Sequence, residues 1–294
     1  NSRFLGKTRD NEIYMLNIAS GEMRLLTADV PPSNGWSLTP DGETLVVNTI
    51  DEQGDVYAVN IEGGEAHLLT ADLPAVTMIY GQWLPGDRTT LVVNARDEEG
   101  RDLYALNIAS GEVHNLTVNV PAVSNPWDVS SNGETVYARS LTDLDLYAVN
   151  IASGEAHNLT ANLPPVEDWG LAPESSTILI LTGEGEDSEL YVLNAATSEI
   201  YNLTESIGVN IPFVIPNVYY TLLPDGSTLF VSQRGEHSPT PGWHSVGSMS
   251  IYIVPQGVNS LSVSLSPDGQ FAAYEDCNAE FGIHLVSLDD APNN

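Results

Sequence analysis

The chain has 294 residues, with 40 acidic and 9 basic side chains, and its formal net charge at pH 7 is −31. Such a surface repels nucleic-acid phosphates, and no run of about 18 apolar residues marks a membrane span, so we expect neither nucleic-acid binding nor membrane insertion. The single cysteine, Cys277, excludes an internal disulfide and any metal site built from several cysteines.

Turn signals flanked by apolar residues recur along the chain. In LTPDGETLVV (38–47), Pro presets the turn and Asp-Gly supplies the tight reversal, which predicts a hairpin between two strands. Related segments stand at 84–93, 129–138, 171–180, 222–231 and 265–274. No segment has a convincing 3.6-residue period, so we expect little helix.

An apolar strand centred on tyrosine follows each of these hairpins, and one precedes the first. The tyrosine recurs every 43–47 residues through the first five units. The positions are Tyr14, Tyr57, Tyr104, Tyr147, Tyr191 and Tyr252, with His284 in the seventh place. In LYAVNI (146–151) both faces of the strand are apolar, so sheets must pack on both sides of it.

Two further markers complete the repeat. A glycine closes the next hairpin, as at Gly21 and Gly64, and a Leu-Thr pair ends a more polar outer strand, as at 26–27 and 69–70. One unit is therefore four short strands, and such units predict an all-β fold, a β-propeller of four-stranded antiparallel blades. Seven tyrosine-type strands favour seven blades, and six is the alternative if both termini share one blade.

We interpret residues 1–294 as a single propeller domain. Its first unit lacks a strand before its hairpin, and its last unit lacks a clear outer strand. Such incomplete blades predict completion by strand exchange, either within one chain or between chains. The approximate units are 1–27, 36–70, 80–117, 126–160, 168–204, 216–257 and 261–290.

The order of these markers resembles the TolB-type, WD-like propeller repeat. The resemblance rests on Pro40-Asp41-Gly42, Asp55-Val56-Tyr57 and Leu69-Thr70, and it recurs with small changes in three of the next four units. It covers almost the whole chain. It implies a periplasmic or extracellular protein that binds other proteins.

We therefore expect a non-catalytic scaffold for protein interaction or self-assembly, whose partner is another protein or further copies of itself. GWHSVG (242–247) lacks the pattern of a nucleophile elbow, so we expect no enzyme, and no cofactor other than calcium is indicated. Two alternatives stay open. One is a carbohydrate or small-ligand binder that uses the 234–250 loop, and the other is a hydrolase of the glycosidase-propeller kind.

Two enlarged connections, 205–220 and 234–250, interrupt the repeat most sharply. In a propeller these two types of loop emerge on the same face, and recognition is usually built on such loops. The predicted recognition patch consists of Tyr219, Tyr220, His237, Trp243 and His244.

Acidic loops precede the tyrosine strands and offer oxygen ligands for calcium. The candidate ligands are Asp51, Asp55, Asp97 and Asp102, although the acid two residues before tyrosine is also suited to accept hydrogen bonds at the strand start. Three N-L-T sequences, which begin at Asn115, Asn158 and Asn202, match the N-glycosylation sequon, and all three come from the repeated Leu-Thr ending.

Overall fold

The computed structural model describes residues 3–50, 54–71, 73, 75–84, 87, 89–96, 101–172, 175–183, 188–207, 218–223, 226–233, 242–246, 249–253, 263–266, 269–276 and 282–291. Within some strands, 75–83 and 218–221 among them, it describes the backbone alone. The described residues form seven sheets, as the seven tyrosine-type strands predict, and these sheets are the blades of a β-propeller fold.

Asn1–Thr142 and Tyr147–His157 belong to one compact unit of the chain. It contains three blades and most of a fourth. Blade 1 is β1 (Arg3–Lys7), β2 (Ile13–Asn17) and β3 (Met23–Leu25), and blade 2 is β4 (Ser33–Leu38), β5 (Thr44–Thr49), β6 (Val56–Asn60) and β7 (Ala66–Leu68). Blade 3 is β8 (Ala75–Trp83), β9 (Thr90–Arg96), β10 (Arg101–Asn107) and β11 (Val113–Asn115), and blade 4 is β12 (Val123–Val129), β13 (Thr135–Ser140), β14 (Leu146–Asn150) and β15 (Ala156–Asn158).

Asp143–Leu146 and Asn158–Asn294 belong to a second compact unit, which contains three blades. Blade 5 is β16 (Val166–Leu171), β17 (Thr177–Thr182), β18 (Glu189–Asn194) and β19 (Glu199–Asn202), followed by a one-turn helix, α1 (Leu203–Ile207). Blade 6 is β20 (Val218–Leu222), β21 (Thr228–Gln233), β22 (Gly242–Val246) and β23 (Met249–Ile253). Blade 7 is β24 (Val263–Leu265), β25 (Phe271–Asp276) and β26 (Gly282–Ser287), and a 3-10 turn at Leu288–Asp290 follows it.

The strands of blades 2 to 5 lie in chain order within each sheet, as the repeat predicts. Among the described residues, blades 1 and 7 have three strands each, and these are the two blades that the sequence marks as incomplete. Within the described residues of blades 1, 2, 3, 5 and 7, neighbouring strands pair antiparallel.

Blade 6 departs from this pattern. Its strand order is β20-β21-β23-β22, and β21 pairs with β23 in parallel, with Leu229 opposite Ile251. The outer place is taken by β22, which pairs antiparallel with β23. The sequence between β21 and β23 is enlarged relative to the other blades, and a parallel pair requires a connection of about a dozen residues or more.

The hydrophobic core of each unit lies between successive blades. In the first unit, Ile13 of blade 1 packs with Leu45 and Val59 of blade 2, and Val92 of blade 3 packs with Val136 of blade 4. In the second unit, Leu179 of blade 5 clusters with Leu229 of blade 6. Strands that are apolar on both faces are therefore covered by a neighbouring sheet.

The hairpin between the tyrosine strand and the outer strand has the same construction in five blades. An asparagine at the end of the tyrosine strand accepts two backbone N–H groups of the turn, as Asn150 does from Ala152 at 3.1 Å and Ser153 at 2.9 Å. The turn then needs a residue with positive φ, and glycine provides it at Gly21, Gly64, Gly111 and Gly154. In blade 5 this place is taken by Ser198, with φ of 60°.

We predict that Ser198→Gly stabilises the protein. A left-handed conformation destabilises a non-glycine residue by roughly 1–2 kcal/mol. Glycine removes this strain, but its greater freedom in the unfolded chain lowers the free energy of unfolding by roughly 0.5–1 kcal/mol. The free energy of unfolding should rise by about 0.5 kcal/mol, measured by urea denaturation. Gly154→Ala is the matched control with the opposite sign, because nothing lies within 4 Å of the added Cβ and only the backbone is strained. An unchanged or lower stability of Ser198→Gly would contradict this account.

Candidate functional site

A cavity of about 500 Å³ lies between blades 1 and 2. One wall comes from β1 of blade 1, through Arg3 and Leu5. The other wall comes from two turns of blade 2, which are the hairpin at 41–43 and the turn at 60–62. A backbone bond from Ile61 N–H to the Glu43 carbonyl, at 3.0 Å, holds these two turns together.

Two arginines of blade 1 reach the turns of blade 2. Arg24 on β3 donates to the backbone carbonyls of Ile61 and Glu62, the latter at 2.6 Å. Arg3 donates to the Glu62 carboxylate at 3.0 Å. This wall of blade 2 is therefore an acceptor for guanidinium groups.

A second cavity, of about 510 Å³, lies between blades 3 and 4. Blade 4 contributes two turns, at 132–134 and 150–152, and blade 3 contributes the carboxylates of Asp87 and Glu112 and the imidazole of His114. With Glu134, three carboxylates line this cavity, and none of its described lining residues is lysine or arginine.

The two cavities occupy corresponding places in the repeat. Asn132, Gly133 and Glu134 stand where Asp41, Gly42 and Glu43 stand in blade 2, and Asn150, Ile151 and Ala152 stand where Asn60, Ile61 and Glu62 stand. Ile151 N–H donates to the Glu134 carbonyl at 2.9 Å, as Ile61 does to Glu43. The wall of acceptors is therefore built twice.

The opposite wall differs in the residues that face these turns. Met15 pairs with Arg24 in blade 1, and the equivalent Ala105 pairs with His114 in blade 3. Arg3 pairs with Asn17, and Thr90 takes the equivalent place opposite Asn107. Both arginines that reach the turns of blade 2 are thus replaced by uncharged or weakly basic residues in blade 3.

Local hydrogen bonds fix one of the acids in the second cavity. Asp87 accepts from the hydroxyls of Thr89 and Thr90 and from the Thr89 N–H. The Thr90 hydroxyl is the main cause that lowers the pKa of Asp87 below its ordinary value. This carboxylate therefore stays charged to lower pH than an isolated aspartate.

A second recurring element of the blades is a set of hydrogen bonds, which we call the latch, between the start of the tyrosine strand and the Leu-Thr pair that follows it. The Thr of each Leu-Thr pair accepts the backbone N–H at the start of the tyrosine strand, at 2.8–3.0 Å in five blades. In blade 3, the Thr117 hydroxyl also donates to Asp102 at 2.8 Å. Asn115 donates to the other oxygen of Asp102 at 3.0 Å.

The candidate calcium ligands take up different places. Asp55 accepts from Thr70 at 3.0 Å, and Asp102 accepts from Thr117 and Asn115, so both belong to the latch. Asp51 and Asp97 lie outside the described residues. Among the residues that the structure describes, no three His, Cys, Asp or Glu side chains form a metal-binding group. Calcium binding stays a prediction.

The three sequon asparagines belong to the same latch. Asn158 donates to Asp145 at 2.7 Å and Asn202 donates to Glu189 at 3.1 Å, as Asn115 does to Asp102. The recurrence of N-L-T along the chain thus has a structural explanation, because in blades 3 and 4 the asparagine and the threonine bind one carboxylate. Their glycosylation stays a prediction.

The predicted recognition patch is only partly described. Tyr219 and Tyr220 lie on β20, where the structure gives the backbone alone, and His237 lies outside the described residues. Trp243 and His244 lie on β22 rather than in a loop, which corrects the loop assignment of 234–250 for these residues. The half-buried Trp243 ring packs against Tyr252 at a centroid distance of 5.1 Å and Phe230 at 6.3 Å. The patch stays a prediction.

The sequence analysis did not predict the cavity between blades 3 and 4. Its polar lining includes Asp87, Glu112, His114 and Glu134. A signal was present, because Arg24 and His114 occupy one slot of the repeat. A difference between repeats at one position indicates a binding site only when the residues that face this position are known. Those residues belong to the neighbouring blade.

None of the described helices is long and apolar enough to span a membrane. No protein-family model matches the chain, and no curated protein matches it.

Solved structures do match. The chain is similar to dipeptidyl peptidase 4 of Porphyromonas gingivalis, with 9% identity and a TM-score of 0.54 over 98% of this chain and 50% of that one. It is similar to a putative dipeptidyl aminopeptidase IV from Bacteroides ovatus, with 13% identity and a TM-score of 0.52 over 92% and 38%. It is also similar to TolB from Acinetobacter baumannii, with 12% identity and a TM-score of 0.42 over 98% of this chain and 61% of that one.

These likenesses establish the fold and correct one expectation. The chain has a β-propeller fold, as its sheets and its likeness to the two dipeptidyl peptidases show. The expectation that it is not an enzyme is wrong as an inference from this fold, because the same fold makes up half of a chain described as a dipeptidyl peptidase. A repeat that builds blades is no evidence against catalysis.

We predict that Thr117→Val destabilises the protein by about 2 kcal/mol. The substitution keeps the shape of a buried side chain but leaves the Leu103 N–H without its acceptor, which costs about 1–3 kcal/mol. Urea denaturation gives the free energy of unfolding, and Thr142→Val, at an exposed threonine, is the control. Equal stability of the two variants would show that the latch contributes nothing.

A second prediction concerns Tyr191, whose hydroxyl donates to Glu189. Burial, followed by this hydrogen bond, raises the pKa of Tyr191 from 10.0 to about 12. The protonated phenol is favoured in the folded state, so its contribution to stability is complete below pH 10 and is lost as the pH rises through about 12. As the pH rises from 10 to about 12, the free energy of unfolding should therefore fall less for Tyr191→Phe than for the wild type.

The measurement is the phenolate absorbance of folded wild type minus that of Tyr191→Phe, followed as a function of pH. The difference should titrate near pH 12. A difference that titrates near pH 10 would mean that the hydroxyl is solvated like an isolated tyrosine.

Proposed function

We propose that the protein is an interaction scaffold, that residues 1–294 form one propeller domain, and that its end blades bind protein by adding a strand or a sheet. One observation carries this proposal, namely the exposure of Ile283 and Leu285 on β26 of blade 7, at 74% and 72%. Within the described residues, β26 pairs with β25 alone.

The same position of the repeat is buried in other blades. The residue before the tyrosine is Ile13, Val56, Leu103, Leu146 or Leu190 in blades 1 to 5, and each of these is at most 2% exposed. Ile13 is covered by blade 2 and Leu190 by blade 6, so the sheet that follows in the chain provides the cover. Ile283 is apolar like the buried residues at this position, but it is exposed. An exposed edge strand with apolar side chains favours the addition of another strand.

The partner is a protein, in line with the protein binding that the TolB-type repeat implies. A net charge of −31 favours a basic partner through electrostatic attraction. The same resemblance supports an extracellular or periplasmic location. Self-assembly is included in the proposal, because a second copy presents the same kind of sheet.

The test is the molar mass in solution as a function of protein concentration, measured by light scattering. We expect the mass to rise with concentration for the wild type and to stay near that of one chain for Leu285→Lys, since a charge on an edge strand blocks pairing. Leu68→Lys is the matched control, because Leu68 lies half exposed on the outer strand of a complete blade.

A constant monomer mass for the wild type, together with hydrogen exchange protection of β26, would overturn self-assembly. That result would leave completion within one chain. A constant mass with an unprotected β26 would also overturn self-assembly and would leave a different protein as the partner of the end blade.

A further inference from the structure

We propose that the cavity between blades 3 and 4 binds the side chain of an arginine presented by a basic protein partner. The inference rests on the proposed function, because it specifies how such a partner is recognised. It depends on the first unit of the chain alone, since every described residue that lines the cavity belongs to that unit.

The first argument is the chemical group that the corresponding turns of blade 2 already bind. Between blades 1 and 2, the guanidinium of Arg24 lies on the carbonyls of Ile61 and Glu62, and Arg3 lies on the Glu62 carboxylate. The protein itself therefore shows which chemical group this pair of turns accepts. The planar fork of a guanidinium donates several parallel hydrogen bonds, which a lysine ammonium does not reproduce.

The second argument is that the accepting wall is repeated between blades 3 and 4. Ile151 and Ala152 stand in the places of Ile61 and Glu62, and both turns use an asparagine and a glycine in the same way. The positive φ of Gly154, 69°, matches that of Gly64, 77°. We infer that the carbonyls of Ile151 and Ala152 are offered to the cavity as those of Ile61 and Glu62 are.

The third argument is charge. Ala152 lacks the carboxylate of its counterpart Glu62. Glu134 corresponds to Glu43 of the first cavity, and the second cavity has two further carboxylates, those of Asp87 and Glu112. In place of Arg24 stands His114, which is exposed and shorter. A cavity of about 510 Å³ with three carboxylates has both the room and the charge for one guanidinium from outside.

The probe is a pentapeptide with blocked ends, Gly-Gly-Arg-Gly-Gly, added to the full chain and followed by calorimetry. We expect a dissociation constant on the order of 1 mM, as befits one exposed side chain, and weaker binding at high salt. The same peptide with lysine should bind at least about threefold more weakly. The peptide with citrulline, which keeps the shape without the charge, should not bind measurably.

One variant should bind the accepting carbonyls from within the chain. His114→Arg recreates the arrangement of Arg24, whose guanidinium takes up the carbonyls of the neighbouring turn, so we expect binding of the arginine peptide to be lost and the melting temperature to rise. His67→Arg is the matched control, because it makes the same change on β7 of blade 2 and should leave binding unchanged. Loss of binding in His67→Arg as well would show a general charge effect and overturn the proposal.

A second variant should strengthen the site. Ala152→Glu restores the carboxylate of Glu62 at an exposed turn position, and we expect a gain of about threefold in affinity. Equal binding of the arginine and citrulline peptides, or unchanged binding in both His114→Arg and Ala152→Glu, would overturn the proposal. The molar mass experiment on β26 is independent of these outcomes, so failure of the arginine site is distinguishable from failure of the scaffold.

Discussion

The fold depends on burying both faces of the tyrosine strand. In blades 1 to 5, the residue before the tyrosine is almost completely buried, while the tyrosines at 57, 104 and 147 pack toward the preceding blade. A neighbouring sheet covers only one of these two faces, so the tyrosine strand of each blade needs a sheet on either side. Hydrophobic burial at roughly 25 cal/mol per Å² therefore acts between blades, and the hydrogen bonds of strand pairing act within them.

Within a blade, short polar devices decide where strands begin and end. The threonine latch holds the outer strand to the tyrosine strand, and the asparagine turn reverses the chain between them. Neither device buries much apolar surface, but each satisfies backbone groups that would otherwise lack a partner. This division explains why the repeated letters are those of turns and latches, while the apolar positions vary among Leu, Val, Ile and Ala.

The sequence predicted the blade from local signals, and it failed where the answer lies in a neighbouring segment. Gly154 and Thr160 are recognisable because turn and latch are made within one repeat. The reversed strand of blade 6 was not predictable, since Tyr252 carries the same marker whichever way its strand runs. The cavity at His114 was missed because its other wall belongs to the next blade, about 20–40 residues further along the chain.

The accepting wall at Ile61 and Ile151 is a by-product of turns that the fold requires in any case. A histidine codon becomes an arginine codon by one nucleotide exchange, and His114 and Arg24 are the two outcomes at one slot. A single mutational step at this slot therefore decides whether an arginine of the same chain binds the carbonyls of the neighbouring turn, and no new loop is needed.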